Sequence, residues 1–313
     1  METLNSIECF VRSAEAGSFS EAARRLGLTS AAVGKNVAKL EQHVGVRLFH
    51  RSTRKLTLTE AGQRFLNEVG SGLGAIQNAV ANLASADDAP SGVLRVSMGP
   101  SFGLTYIVPL MDEFLRLYPR ISLDWHFDNR TVDLIGQNFD AAIGGGFEMP
   151  PGAVARELGP AHRVLLAAPG YLAQRAAIST PAALAECDGI LVRSPQTGRV
   201  RPWTLRDREG RQAPIALRQH STMSDPEAAC RFAAMGMGIA LASMPHALPY
   251  LDDGSLLRVL PDWHVDSGSL SLYFPAQKLL PAKTRVFVDF IVASFRAQKL
   301  ARRFDATIAT GKA

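Results

Sequence analysis

The first 62 residues constrain the fold most tightly. Leu4, Ile7, Phe10, Val11 and Ala14 recur at helical spacing, and Gly17 ends the run. Ser20 can cap a second short helix over residues 21–26, which Gly27 closes. Thr29 or Ser30 caps a third helix that runs to about Val44. Val33, Val37 and Leu40 form its inward stripe, leaving Ala31, Gly34, Lys35, Ala38 and Lys39 on the other side. This is a helix, a short turn and a second helix with a small, donor-rich outer face. Small side chains let a backbone approach the major groove of DNA, while Lys and Asn reach phosphates and base edges. The candidate contacts on this helix are Ser30, Ala31, Gly34, Lys35, Asn36 and Lys39, with Asn36 able to bond adenine through two atoms. A plain three-helix bundle with a polar exterior fits the same spacing.

Charge narrows the choice. The chain carries a net charge of +5 from 34 basic and 29 acidic residues. Residues 30–55 hold Lys35, Lys39, Arg47, Arg51, Arg54 and Lys55 against the single acid Glu41, so the whole excess sits in that segment. A concentrated positive patch on a neutral body suits a polyanion, most simply a nucleic acid. Residues 47–51 and 54–59 alternate apolar and polar side chains around Ser52 and Thr53, which predicts a small hairpin with a basic tip. Arg51, Arg54 and Lys55 are its candidate phosphate or minor-groove contacts.

Phe10-Val11, the run from Gly17 to Ala23, Leu26, Val33, Leu40-Glu41, the run from Gly45 to Arg51 and the run from Leu58 to Gly62 resemble the LysR-type transcriptional regulators in order and spacing. The resemblance is dense over residues 1–65 and continues more loosely to about residue 300. It implies a winged helix-turn-helix at 1–59, a linker and dimerisation helix at 60–86, an effector-binding regulatory domain at 87–303 and a C-terminal tail at 304–313. It also implies sequence-specific DNA binding and transcription regulation modulated by a small-molecule effector. The implied partners are double-stranded DNA, the effector and further copies of the chain, as a homodimer through the linker helix or a homotetramer. RNA polymerase joins them if the protein activates. This sequence departs from the family where Ser30-Ala31 and Gly34-Lys35-Asn36 replace a common Gln-Pro opening and Ser-Arg-Gln segment. The fold tolerates that change. The base preference does not carry over, because Lys offers a point charge where Arg offers a planar fork.

Thr59 can cap a helix that starts at Glu60. Leu66, Val69, Leu73, Ile76, Val80 and Leu83 alternate in steps of three and four, a heptad seam on a helix roughly 39 Å long if it reaches about Ser85. One narrow stripe on a long helix predicts self-association; packing on its own domain is the alternative. Gly70, Gly72 and Gly74 each cost about 1 kcal/mol of helix propensity relative to Ala. The polar breaker segment Asp87-Asp88-Ala89-Pro90-Ser91-Gly92 marks a domain boundary.

Beyond it, strand and helix patterns alternate. Strands are expected at 93–98, 121–127, 139–144, 163–168, 190–192, 238–243 and 270–274. Helices are expected at about 105–118, 132–136, from the capping box at Ser224 to near Gly236, and 281–298. That alternation means parallel sheet covered by helices, so the class is α/β overall. The resemblance implies a two-lobed α/β domain similar to periplasmic solute-binding proteins, with lobe I at 91–162 plus 267–303 and lobe II at 163–266. A cleft between such lobes lies at strand ends and helix N-termini, where small ligands, anions especially, bind. Its candidate effector-binding residues are Ser101, Phe102, Asp128, Arg193, Ser194 and Pro226. Asp128 disfavours an anion unless Arg130 or Arg193 balances it, and the run Gly144-Gly145-Gly146 can widen the pocket.

Other classes fit less well. No apolar run approaches the roughly 18–20 residues of a membrane span. The start, Met1 to Glu8, is acidic and polar, unlike a signal peptide, so a cytoplasmic protein with no membrane partner is expected. A solute-binding module would account for residues 91–303 but leaves the basic N-terminal segment without a role. The seven histidines show no metal-ligand spacing and the chain has no phosphate loop, so neither metal nor cofactor is expected. Gly99-Pro100-Ser101-Phe102-Gly103 spells a Gly-x-Ser-x-Gly nucleophile elbow, with Asp225 and His246 or His264 following in the chain order of a hydrolase. Three fixed letters recur by chance, and no enzymatic activity is expected. Cys9, Cys187 and Cys230 cannot build a disulfide framework; a redox pair of Cys187 and Cys230 is the alternative to buried, reduced thiols.

Overall fold

The computed structural model describes residues 2–51, 56–69, 73, 89–150, 152–276 and 280–308. Two compact units emerge, one mainly from the first 88 residues and one mainly from the rest.

In the first unit, α1 (Glu2–Ala16), α2 (Phe19–Leu26) and α3 (Ser30–Val44) pack around Phe10, Val33, Val37 and Leu40. Gly17, Gly27 and Gly45 follow the three helices at φ of 60°, 64° and 75°, the left-handed stop that a Cβ disfavours. Thr29 caps α3 by accepting from the Ala32 N–H. The cap of α2 is Ser18, not Ser20: its backbone is extended and its hydroxyl accepts from the Glu21 N–H. Phe19 packs edge-on against Phe49, which draws the chain into the helix two residues early.

β1 (Phe49–Arg51) and β2 (Leu56–Leu58) form the expected antiparallel hairpin, with Phe49 opposite Leu58. Its tip, including Arg54 and Lys55, lies outside the described residues. A buried acid anchors the hairpin to α3. Glu41 Oε1 accepts from the Leu48 and Phe49 N–H groups at 2.9 and 3.2 Å, and Arg47 lies 3.6 Å from the other oxygen. Thr59 fixes the next element: Oγ1 accepts from the Gly62 N–H at 2.9 Å and donates to the Arg47 carbonyl at 2.7 Å. Residues 60–69 form α4, which comes so close to the hairpin that a Cβ on Gly62 would overlap the Leu48 carbonyl oxygen. Leu66, Val69 and Leu73 pack on this same core. The first half of the expected association seam therefore serves its own domain, because the Phe10 and Phe49 side of the bundle needs covering. Ile76, Val80, Leu83 and the glycines at 70, 72 and 74 lie outside the described residues.

The second unit is built on one sheet. β3 (Gly92–Met98) runs parallel to β4 (Ile121–Phe127) and to β5 (Ala141–Gly145). β7 (Asp188–Val192) runs parallel to β10 (Arg218–Met223) and to β11 (Ile239–Ser243). Two long antiparallel strands, β6 (Ala153–Ala167) and β13 (Val265–Pro275), join the sets in the order β10-β7-β11-β6-β13-β5-β3-β4, with β12 (Leu257–Val259) on β6. β8 (Thr204–Arg206) and β9 (Gln212–Pro214) make a separate hairpin. The helices are α5 (Pro100–Phe102), α6 (Met111–Leu117), α7 (Pro169–Ala173), α8 (Pro226–Ala234), α9 (Met244–Asp252), α10 (Ala282–Ala297) and α11 (Leu300–Arg303). No described helix is long and apolar enough to cross a membrane.

Several expectations change for identifiable reasons. The helix expected over 105–118 is broken into a π turn over Gly103–Ile107, a 3-10 turn over Val108–Leu110 and α6, and α5 occupies the expected turn before it. Pro109 lacks the N–H that a continuous helix needs. Residues 132–136 are not helical: Asp133 Oδ1 accepts from the Ile135 and Gly136 N–H groups, a local turn that competes with a helix. Helix α9 was hidden by its prolines, yet Pro245 sits in the first turn, where no N–H is required. The lobe boundary expected at 162/163 falls inside β6, a single strand of 15 residues that belongs to both halves.

Glu41→Ala is expected to destabilise the N-terminal unit by about 1–3 kcal/mol, since two buried N–H groups lose their acceptor. Glu41→Gln keeps an acceptor and should lose less. Urea midpoints of the two variants check this; equal losses would assign the effect to charge and not to acceptor geometry.

Candidate functional site

On α3, Ser30, Ala31, Lys35, Ala38 and Lys39 are exposed and Gly34 is half-buried, opposite the buried stripe of Val33, Val37 and Leu40. Asn36 departs from that face. It lies one turn after Val33, and its Nδ2 donates to the Cys9 Sγ of α1 at 3.4 Å, so its amide is turned between helices. Arg51 closes β1 opposite Leu56.

The second unit holds a cavity of ≈ 770 Å³ at the ends of β3, β5, β7 and β11, lined also by residues of β6 and β13. Phe102, Asp128, Arg193, Ser194 and Pro226 line it. Ser101 does not. The helix starts at Pro100, so successive side chains point roughly 100° apart, and the Ser101 hydroxyl donates to Glu227 Oε2 at 3.0 Å. Glu227 also accepts from the Tyr250 hydroxyl at 2.6 Å and from Arg231 Nε at 3.1 Å. Burial pushes the Glu227 carboxyl up, but these hydrogen bonds outweigh it and hold the group below its ordinary pKa. The serine of the elbow thus meets a carboxylate and not a histidine. Asp225 accepts from Asn129 and from the Ala228 N–H; of the two candidate histidines, the His264 ring lies tilted beside His162 and His246 Nδ1 is 2.7 Å from Ser243 Oγ, so no described bond links Ser101, a histidine and Asp225.

Asp128 is balanced as the sequence requires: Arg130 Nε stands 3.0 Å from Oδ2, and the Arg130 N–H donates to Oδ1 at 2.8 Å. Burial raises the Asp128 pKa, and the Arg130 bonds more than reverse this. Within the glycine run, a Cβ on Gly145 would overlap the backbone of Ser269, and one on Gly146 (φ 79°) would stand 3.3 Å from Arg163 Nη2. The run lets β5 close on β13 and leaves room for a guanidinium.

Sequence reasoning did not place Arg163, Arg201, Trp203, Ser243 or His246 in the cavity, and all of them line it. The available signal was an arginine opening the apolar run Val164–Ala168, half-buried at the edge of a buried stretch. Ser243 Oγ and His246 Nδ1 are 2.7 Å apart at the start of α9. Burial lowers the His246 pKa to about 4, so the ring is neutral at physiological pH. The three cysteines are free and buried; burial pushes the Cys187 thiol up and the Cys230 thiol to about 12, which disfavours the reactive thiolate.

Residues 4–63 match the family described as bacterial regulatory helix-turn-helix protein, lysR family. Residues 87–296 match the LysR substrate binding domain. The chain belongs to the LysR family of transcriptional regulators. It is 32% identical over 318 residues to an HTH-type transcriptional regulator of Xanthomonas campestris pv. campestris, covering 99% of this chain and 91% of that protein. It is 29% identical over 287 residues to the HTH-type transcriptional regulator PtxR of Pseudomonas aeruginosa, covering 91% of each. Among solved structures, CrgA, a LysR-type transcriptional regulator from Neisseria meningitidis, superposes with a TM-score of 0.58 at 28% identity, covering 94% of this chain and 98% of that one. As a LysR-type regulator, the protein binds DNA through its helix-turn-helix and a small-molecule effector through its regulatory domain. Regulators of this type form oligomers.

His246 gives the regulator a pH signature. Its folded pKa of about 4 lies below the ordinary 6.5, so the unfolded chain takes up a proton first as pH falls. Stability is complete above about pH 6.5 and declines toward pH 4 by about 3 kcal/mol from this group. His246→Gln should flatten the fall in urea midpoint between pH 7 and 4; an unchanged slope would place the titration elsewhere.

Proposed function

We propose that α3 and the hairpin dock on an operator. Ser30, Ala31, Gly34, Lys35 and Lys39 meet the major groove, while Arg51, Arg54 and Lys55 meet adjacent phosphates or the minor groove. The observation that supports this most is α3 itself: a small, basic, exposed face directly behind a stripe exposed by no more than 2%. The cavity is the effector site, with Phe102, Asp128, Arg193, Ser194 and Pro226 from the sequence reading joined by the residues around Arg163. The domains run 1–59, 60–86 and 87–303; of the expected tail 304–313, Phe304 and Ala306 are buried in the regulatory core. Two copies pair through the linker helix to read two half-sites, as a homodimer or as a homotetramer built from such pairs. The protein works in the cytoplasm, and it contacts RNA polymerase if it activates. Effector binding shifts the population of the DNA-competent state.

Recovery of fragmented host DNA by the purified protein, followed by sequencing, tests the reading: a few enriched sites with paired half-sites are expected. On such a site, Lys35→Ala should weaken binding and relax specificity at one position by about 1–3 kcal/mol. Arg54→Ala should weaken binding to all sequences and lower the salt slope by about one. Unchanged affinity and slope in both variants would put the DNA face elsewhere.

A further inference from the structure

We propose that the ligand of this cavity is an organic acid, its anionic group held by Arg163 and Arg201 beside Trp203 and its body laid on the apolar wall. The inference rests on the reading of the cavity as the effector site. Four arginines line the cavity, Arg130, Arg163, Arg193 and Arg201, against one acid, Asp128. Asp128 is already paired with Arg130. Among the described residues no carboxylate lies within ion-pair reach of the other three.

Arg163 is the least explained by the fold. It stands mid-strand on β6, paired with Ser243 of β11 on one side and Val265 of β13 on the other. Its Nε donates to Ser267 Oγ at 3.2 Å, and its two terminal nitrogens donate to no described residue. Its guanidinium lies 4.6 Å over the Trp203 ring, and that of Arg201 lies 4.5 Å over the same ring. Arg201 Nη1 reaches the Gly146 carbonyl at 3.4 Å. Two cations over one indole, without an anion, repel each other and leave a buried charge uncompensated. Burial first, and then Arg201, lower the Arg163 pKa to about 10, still well above neutrality, so the charge persists. The starts of α8 and α9 add partial positive charge, since Ser224, Pro226, Ser243 and Pro245 all line the cavity. Guanidinium forks suit carboxylate geometry. The rest of the wall, including Phe102, Ile143, Leu217 and Leu241, suits a hydrocarbon body, and ≈ 770 Å³ exceeds what an inorganic anion fills.

The test uses the full-length protein in low-chloride buffer, with calorimetry and tryptophan fluorescence as readouts. The probes are benzoate and hexanoate, their neutral isosteres benzamide and hexanamide, and inorganic phosphate. Each acid should bind at least tenfold tighter than its amide. Arg201→Gln, at an exposed position with little consequence for folding, should weaken acid binding at least tenfold, and so should Arg163→Gln, whose melting curve checks its fold. Arg199→Gln, exposed and outside the lining, should retain wild-type affinity and excludes a general charge effect. Amides that bind as well as acids, acid affinity unchanged in both cavity variants, phosphate binding as tightly as the acids, or no acid binding at all would each overturn the proposal. Operator binding by the same wild-type sample separates the readings: if it is present, only the ligand class has failed; if it is absent, the regulator reading itself has failed.

Discussion

β6 and β13 pair antiparallel from Ala153 opposite Pro275 to Arg163 opposite Val265, and each strand continues into both halves of the sheet. Among the described strands, the parallel sets on either side pair into the sheet through these two: β5 with β13, β11 with β6. The pair thus joins the two sets of strand ends that face the cavity. The register shifts between Asp266 and Ser269, where Gly268 adopts a φ of 85°. That irregularity brings Ser267 onto Arg163 Nε. This break in the ladder thus sets a charged side chain into the cavity wall, where a bulge commonly re-aims a side chain. The strand beyond it is apolar, with Val164, Leu165 and Leu166 fully buried.

The N-terminal unit solves a different problem. A three-helix bundle this small must hold a two-stranded hairpin that cannot stand alone. It does so with two polar anchors, Glu41 on the hairpin's first N–H groups and Thr59 bridging Arg47 to the next helix. Gly62 permits the close approach that closes the arrangement. The hairpin strands are then fixed relative to α3, which is what a two-part grip on a duplex requires: a helix for the groove and strands beside it for the backbone.

Much of this was legible in the sequence because it is local. Glycines at 17, 27 and 45 end helices by backbone conformation alone, and Val33, Val37 and Leu40 mark a buried face by spacing alone. The motif at Leu58–Gly62 is legible for the same reason: the Thr59 cap and the close approach at Gly62 demand particular residue types. What was not legible depends on partners far along the chain. Ser18 replaces Ser20 as cap because Phe19 meets Phe49, thirty residues away. Asn36 turns inward to Cys9, 27 residues away, and Ser101 turns to Glu227, 126 residues away. Arg163 and Trp203 meet only after the sheet has formed. Candidate effector residues at strand ends were recoverable because topology places strand ends in clefts. The arginine that dominates the cavity sits mid-strand, where a sequence pattern reads as core.

The central claim is that occupancy of the cavity and occupancy of the operator are coupled in one molecule. The most direct measurement is the operator affinity of the full-length protein with and without saturating benzoate, paired with the benzoate affinity with and without saturating operator. Linkage requires the two ratios to agree, and regulation requires them to differ from one, typically by 5–150-fold, that is, about 1–3 kcal/mol. Ratios of one in both directions, with benzoate seated in the cavity, would contradict the claim and leave two independent binding units on one chain.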